Sequence, residues 1–208
     1  PHQTIGGDYY DYIEIDENRS LVCIADVSGK GVPAAILMSN VQAALRTMVR
    51  YTTDLSNIVF QLNDLILKHT KGNRFVTMFI GIIDFSQKEL TYINAGHNTI
   101  PLIQKNTTQL LNKGCTILGM FDTLHFIEVT AVTLLEKNHL FLYTDGLSEC
   151  MNEQDEEFEL ERILPLVALD KTLDQQVLID HIIAETVAFK GERSYNDDIT
   201  LLSCLIQF

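Results

Sequence analysis

Leu21-Val-Cys-Ile-Ala-Asp-Val-Ser-Gly-Lys-Gly-Val-Pro33 decides the fold. Its first five residues are apolar without alternation, which marks a strand covered on both faces. The run stops at Asp26, and Gly29 and Gly31 then turn the chain. Pro33 suits the first turn of a helix, because its fixed φ is already helical and its missing N–H has no intrahelical partner to lose. Leu37, Val41, Ala44, Leu45 and Met48 follow at helical spacing. A central strand therefore ends on an acidic turn and feeds a helix that lies back over it.

Outward from this unit, a strand over 9–15 precedes it across the turn-forming Asp16, Glu17 and Asn18. A second helix starts at Asp54 or Ser56 and carries Ile58, Leu62, Leu65 and Ile66 on one stripe. It ends in Lys68, His69, Lys71 and Gly72, cations and a glycine where a helix C-terminus favours them. The middle reads as strands over 75–84, 89–95, 100–104, 126–132 and 139–144, with polar turns at 104–108 and 136–138. Such short connections imply antiparallel pairing. Helices are expected over 159–169 and 172–190, the latter opened by a Thr172/Gln175 capping box with Leu178, Ile179, Ile182, Ile183 and Val187 inward. A last strand over 199–206 is apolar on both faces. Strands flanking helix pairs predict an α+β chain of two stacked sheets with helices outside. No repeat or linker divides it, so residues 1–208 read as one domain. The opening at Pro1, without an initiator methionine, reads as a fragment of a longer protein.

The net charge of −13 makes the chain a poor general binder of nucleic acid or anionic membrane. No apolar run approaches the roughly 18 residues that span a bilayer. Cys23, Cys115, Cys150 and Cys204 form no C-x-x-C pair, and a reducing cytoplasm is the expected compartment. His2, His69, His125, His139 and His181 show no zinc spacing.

Four aspartates sit where strands meet turns: Asp8 in G-G-D-Y-Y, Asp26, Asp145 in Y-T-D-G and Asp197 in N-D-D-I-T. Each alone reads as a turn-former bonding its own backbone. Together they could gather into one all-oxygen site of the kind Mg²⁺ or Mn²⁺ favours. A-D-V-S-G-K-G is not a nucleotide phosphate loop, since Ile24 and Gly31 stand where that loop needs glycine and Ser or Thr.

In order, Gly6-Gly7-Asp8-Tyr9-Tyr10-Asp11, Asp26-Val27-Ser28-Gly29-Lys30-Gly31, Asn94-Ala95-Gly96-His97-Asn98, Thr144-Asp145-Gly146 and Asp197-Asp198-Ile199-Thr200 resemble the SpoIIE/RsbU-type serine phosphatases of the metal-dependent, protein phosphatase 2C-like superfamily. The resemblance implies a four-layer α-β-β-α sandwich, two Mn²⁺ or Mg²⁺ ions, and hydrolysis of phosphoserine or phosphothreonine on a protein. By the same resemblance, Asp26 bridges both ions, aided by the Val27 carbonyl. Asp8 serves the second ion, and Asp145 and Asp197 serve the first. Asp11 is a further candidate, and Asp198 is expected behind the ligands. Paired ions would acidify a water for in-line attack on phosphorus. The substrate implied is an anti-sigma-factor antagonist, an upstream sensor domain is expected, and a homodimer is left open. The helices after Asp26 are implied to act as a switch. A silent module that keeps the fold without turnover is the alternative.

Two departures stand out. Ser28 occupies the position where eukaryotic relatives place a histidine, and no arginine adjoins Asp8 to grip phosphate. Lys30 could substitute for that arginine, although a solvated turn residue is the plainer reading. His97 reads as a turn residue bonding backbone near the site, and the acidic run 153–157 as a solvated loop.

Overall fold

A computed structural model describes residues 5–105, 107–168 and 174–208. The chain begins with two antiparallel strands, β1 (Tyr9–Glu14) and β2 (Arg19–Val27), followed by helices α1 (Val32–Met48) and α2 (Leu55–Thr70). Strands β3 (Val76–Asp84), β4 (Glu89–Ala95), β5 (Ile100–Gln104), β6 (Thr107–Leu111), β7 (Gly114–Cys115), β8 (Thr130–Thr133) and β9 (Lys137–Tyr143) make up the middle. Helices α3 (Asp145–Ser148), α4 (Glu159–Ala168) and α5 (Gln175–Lys190) precede the last strand, β10 (Leu201–Gln207).

Two sheets result. One has the order β1-β2-β3-β4-β7, with β8 also on β4, and the other has the order β10-β9-β5-β6. Pairing is antiparallel except between β4 and β7. The unbroken apolar run of β2 is explained by what covers its two faces. Leu21, Cys23 and Ala25 meet Leu37, Val41, Leu45, Ile58 and Leu62 of α1 and α2. Val22 and Ile24 belong to a second core shared with Leu102, Leu140 and Leu142 of the other sheet, and with Ile163 and Ile182 of α4 and α5. All five residues of the run are fully buried. Burying one such aliphatic side chain contributes roughly 1.5–3 kcal/mol. The four layers are therefore helices, sheet, sheet, helices.

Several boundaries differ from the sequence reading. Of the two starts considered for α2, Asp54 is the cap, its carboxylate accepting the Asn57 N–H at 3.1 Å. The expected turn at 104–108 is shorter, because β6 already begins at Thr107. Its polar Thr107, Thr108 and Gln109 sit exposed at a sheet edge, where alternation carries no signal. The strand expected over 126–132 starts only at Thr130, and Phe126 and Val129 are exposed. β9 begins at Lys137, inside the expected turn, and α3 was not anticipated.

The Thr172 capping box lies outside the described residues, as does Leu169. The described cap of α5 is Asp174, which accepts the Gln176 N–H at 2.8 Å. On α5 the inward face is Leu178, Ile182 and Thr186, whereas Ile183 and Val187 are exposed. This helix is apolar nearly all round, so spacing alone could not choose its buried face. β10 is a sheet edge and is only partly buried, which limits its reading as a covered strand.

Candidate active site

Antiparallel topology brings the carboxylates to one end of the sandwich. Tyr9 pairs with Ala25, so Asp8, just before β1, lies beside Asp26 near the end of β2. Leu201 pairs with Tyr143, so Asp145 after β9 lies beside Asp197, just before β10. Each sheet supplies two acids. The two halves are joined directly, since the Thr144 hydroxyl donates to Asp8 Oδ2 at 2.8 Å. Thr144 is fully buried, and its Oγ1 also accepts the Thr200 N–H at 3.0 Å. Its own N–H donates to the Thr200 carbonyl at 3.1 Å.

Close backbone approach explains the glycine that follows Asp145. A Cβ on Gly146 would stand 2.0 Å from the Asp198 carbonyl oxygen, so no larger residue fits between the two acidic turns. A Cβ on Gly6 would meet Asp198 Oδ2 at 1.9 Å, which puts that carboxylate against the Gly6-Gly7 turn. Ile5, Gly7, Asp26, Val27, Gly29, Lys30, Asp197 and Asp198 line a small cleft of about 40 Å³.

The electrostatics are those of crowded, partly desolvated acids. Burial is the first cause raising the Asp26 carboxyl to about 8, and the charges of Asp8 and Asp145 add to it. Burial also raises Asp145, followed by repulsion from Asp197 and Asp8, while Lys30 acts in the opposite sense. Asp8 is raised by burial against the lowering hydrogen bonds from Thr200 and Thr144, and it lies within hydrogen-bonding reach of Asp26. Among the described residues, no three His, Cys, Asp or Glu side chains close into a ready-made coordination shell.

Lys30 is exposed yet does more than solvate a turn. Its ammonium pairs with Asp197 Oδ2 at 2.9 Å and donates to the Asn196 carbonyl. Ser28, at the position of the eukaryotic histidine, is a structural clasp. Its N–H donates to the Phe75 carbonyl at 2.9 Å, and its Oγ accepts the Phe75 N–H at 2.8 Å. Arg74 donates to the Ser28 carbonyl at 2.7 Å, so an arginine does reach the turn after Asp26 from 46 positions away. Asp11 is not with the others. It is buried under α1, gripped by Arg46 at 2.7 and 2.6 Å and by the Tyr9 hydroxyl at 2.6 Å. Of the motif residues, Asp8, Asp26, Val27, Asp145, Asp197 and Asp198 are brought together, and Asp11 is held elsewhere.

The family model for Stage II sporulation protein E (SpoIIE) matches residues 16–207. Phosphoserine phosphatase RsbU of Bacillus subtilis (strain 168) is 31% identical over 157 residues, covering 74% of this chain and 46% of RsbU. The chain thus spans less than half the length of that relative. Among solved structures, the SiaA-PP2C domain of Pseudomonas aeruginosa matches with a TM-score of 0.86 at 21% identity, over 98% of this chain and 82% of that one. RsbX, crystallised in complex with magnesium, matches with a TM-score of 0.69 at 18% identity, over 98% of this chain and 89% of RsbX. At these identities the two structures speak to the fold, which they share. The chain belongs to the SpoIIE family and is a SpoIIE/RsbU-type domain of the protein phosphatase 2C-like superfamily.

Proposed function

We propose that this chain is the catalytic domain of a Mn²⁺- or Mg²⁺-dependent protein serine/threonine phosphatase. The observation that carries the reading is the meeting of Asp8, Asp26, Asp145 and Asp197, two from each sheet, in a field that raises three of their carboxyls. Crowded carboxylates on a rigid frame are stable as anions only with a compensating cation, and all-oxygen donors select hard divalent ions. The donor set therefore fits. RsbX, of the same fold, is described in complex with magnesium.

Asp26 would serve both ions with the Val27 carbonyl as a neighbouring ligand, Asp8 the second, and Asp145 and Asp197 the first. When bound, the ions supply an acidified water and offset the charge that grows on the phosphoryl oxygens. The chain's own residues orient and hold. Thr144 fixes the Asp8 carboxylate against the opposite sheet, Ser28 and Arg74 stiffen the turn after Asp26, and Gly146 lets the Asp198 backbone close over Asp145. Lys30, on the rim of the cleft, is the side chain suited to meet an incoming phosphate.

The substrate we favour is phosphoserine on a small regulatory protein, an anti-sigma-factor antagonist, in keeping with the naming of RsbU as a phosphoserine phosphatase. The chain would act in the cytoplasm as the output module of a longer signalling protein. Among the described residues, no helix is long and apolar enough to cross a membrane. The test is hydrolysis of a phosphoserine peptide in Mn²⁺. Asp26→Asn and Asp145→Asn should each abolish turnover while remaining folded, and full activity in either variant refutes the assignment.

A further inference from the structure

The loop between β4 and β5 carries a buried imidazole that touches none of the four carboxylates. It nevertheless connects β3, the neighbour of the strand that presents Asp26, to β9, which leads into Asp145. His97 Nδ1 lies 2.9 Å from the Thr77 hydroxyl, and Nε2 lies 3.0 Å from the Tyr143 carbonyl oxygen. A carbonyl only accepts, so Nε2 carries the hydrogen. Burial pushes the imidazole down to about 4, so it is neutral near pH 7 and Nδ1 accepts from Thr77. Both ring nitrogens are thereby used in one fixed tautomer.

The two ends of this strap are placed tellingly. Thr77 is the cross-strand partner of Asp26, so their side chains stand side by side on the face that looks toward the other sheet. Tyr143 ends β9, two residues before Asp145. The strap is itself anchored. The His97 N–H donates to Asn94 Oδ1 at 2.7 Å, and Asn94 Nδ2 donates to the Asn98 and Leu111 carbonyls at 3.0 and 3.2 Å. Gly96 takes φ 63°, and a Cβ there would stand 2.5 Å from Ile117 Cγ2, so only glycine brings the loop in this close. Asn98 in turn donates to Ser148 Oγ at 2.9 Å, on the short helix that begins with Asp145.

We propose that His97 is a positioning residue that sets the separation of Asp26 from Asp145, and with it the affinity of the site for divalent cations. This rests on the metal-dependent reading above, because a spacing between acids matters only if something binds across it. Groups that orient ligands typically govern about 10–100-fold in metal affinity.

His139 provides an internal control. It is equally buried, its imidazole is likewise pushed down to about 4, and its Nε2 lies 2.7 Å from Ser203 Oγ. It lies near the start of β9, at the opposite end of that strand from Tyr143.

The experiment is calorimetric titration of Mn²⁺ alone into the metal-stripped chain, with urea unfolding of each variant. His97→Ala should weaken Mn²⁺ binding by about 10–100-fold, and His97→Gln, which can still donate toward Tyr143, should recover part of that loss. His139→Ala should lose stability and keep the wild-type Mn²⁺ affinity. Thr77→Val preserves side-chain shape and removes only the hydroxyl; it should also weaken Mn²⁺ binding, and it decides the matter if His97→Ala does not fold. Wild-type affinity in His97→Ala or Thr77→Val overturns the inference, as does an equal loss in His139→Ala. Wild-type protein that binds no Mn²⁺ overturns the metal-dependent reading itself, a distinguishable result.

Discussion

Asp26 concentrates the chemistry, and its environment predicts how metal-free protein responds to pH. An unfolded aspartate titrates near 3.9, whereas folded Asp26 keeps its proton up to about 8. Between those values the folded state holds a proton that the unfolded state has lost, so stability falls as pH rises. His97 and His139, held down to about 4, act oppositely, because the unfolded imidazoles take up protons first as pH falls below about 6.5. The histidines fade as pH rises past about 6.5, and the slope then belongs to the raised carboxyls, Asp26 foremost. In chelator, the melting temperature should therefore decline from about pH 7 to 8; Mn²⁺ or Asp26→Asn should flatten that decline, and a flat chelated profile would contradict the assigned environment. Thr144 is the next residue to test. Thr144→Val leaves Asp8 and the Thr200 N–H short of a partner, which should lower stability by about 1–3 kcal/mol in urea unfolding and weaken Mn²⁺ binding as well. The sequence could not single out Thr144 or Thr77. A hydroxyl inside an apolar strand looks like any β-branched filler until the opposite sheet supplies its partner. The aspartates were readable because each broke an apolar strand at a turn.

At the scale of elements, α1 is tied to β1 by charge as well as by packing. Asp11 is buried with a bidentate Arg46 from the last turn of α1, and β1 begins one residue after Asp8. Removing Arg46 leaves the buried Asp11 carboxylate without its cation, so Arg46→Ala should clearly lower stability. By contrast Asp16→Ala, which breaks the exposed and solvent-screened Arg19 pair, should have far less effect. Equal effects in chemical denaturation would show that the Asp11 pair is no more than a surface contact. The family switch expected of α1 and α2 has a physical handle here, since any tilt of α1 must carry or break this pair. Element identity was legible wherever the apolar pattern was decisive, on one stripe of α1 and α2 and on both faces of β2. It failed at β6, whose exposed polar residues carry no alternation; α5 was legible as a helix, but its buried face was not, because apolar residues encircle it. Asp11 misled because its motif neighbours are site residues, while strand alternation turns its side chain toward α1.

For the whole molecule, the carboxylate cluster is a concentration of like charge at one end of a chain with net charge −13. Such a site costs stability when empty of cations and returns it when filled. Ligand binding to the folded state alone adds about 2.7 kcal/mol at a hundred times the dissociation constant. Thermal stability should therefore climb with Mn²⁺ well beyond the effect of the same ionic strength in NaCl, and Asp145→Asn should remove most of the difference. Matching curves in the two salts would argue against a specific site. The four-layer order was readable from the strands apolar on both faces, because only a sheet covered on each side satisfies them. The straps that lock one sheet to the other were not, since they join residues from 20 to 136 positions apart.

The most direct test of the central claim is anomalous diffraction from crystals grown in saturating Mn²⁺. The account predicts Mn²⁺ peaks bounded by Asp8, Asp26, Asp145 and Asp197, with Lys30 released from Asp197. Crystals in which these acids keep their present contacts and hold no Mn²⁺ between them would contradict it.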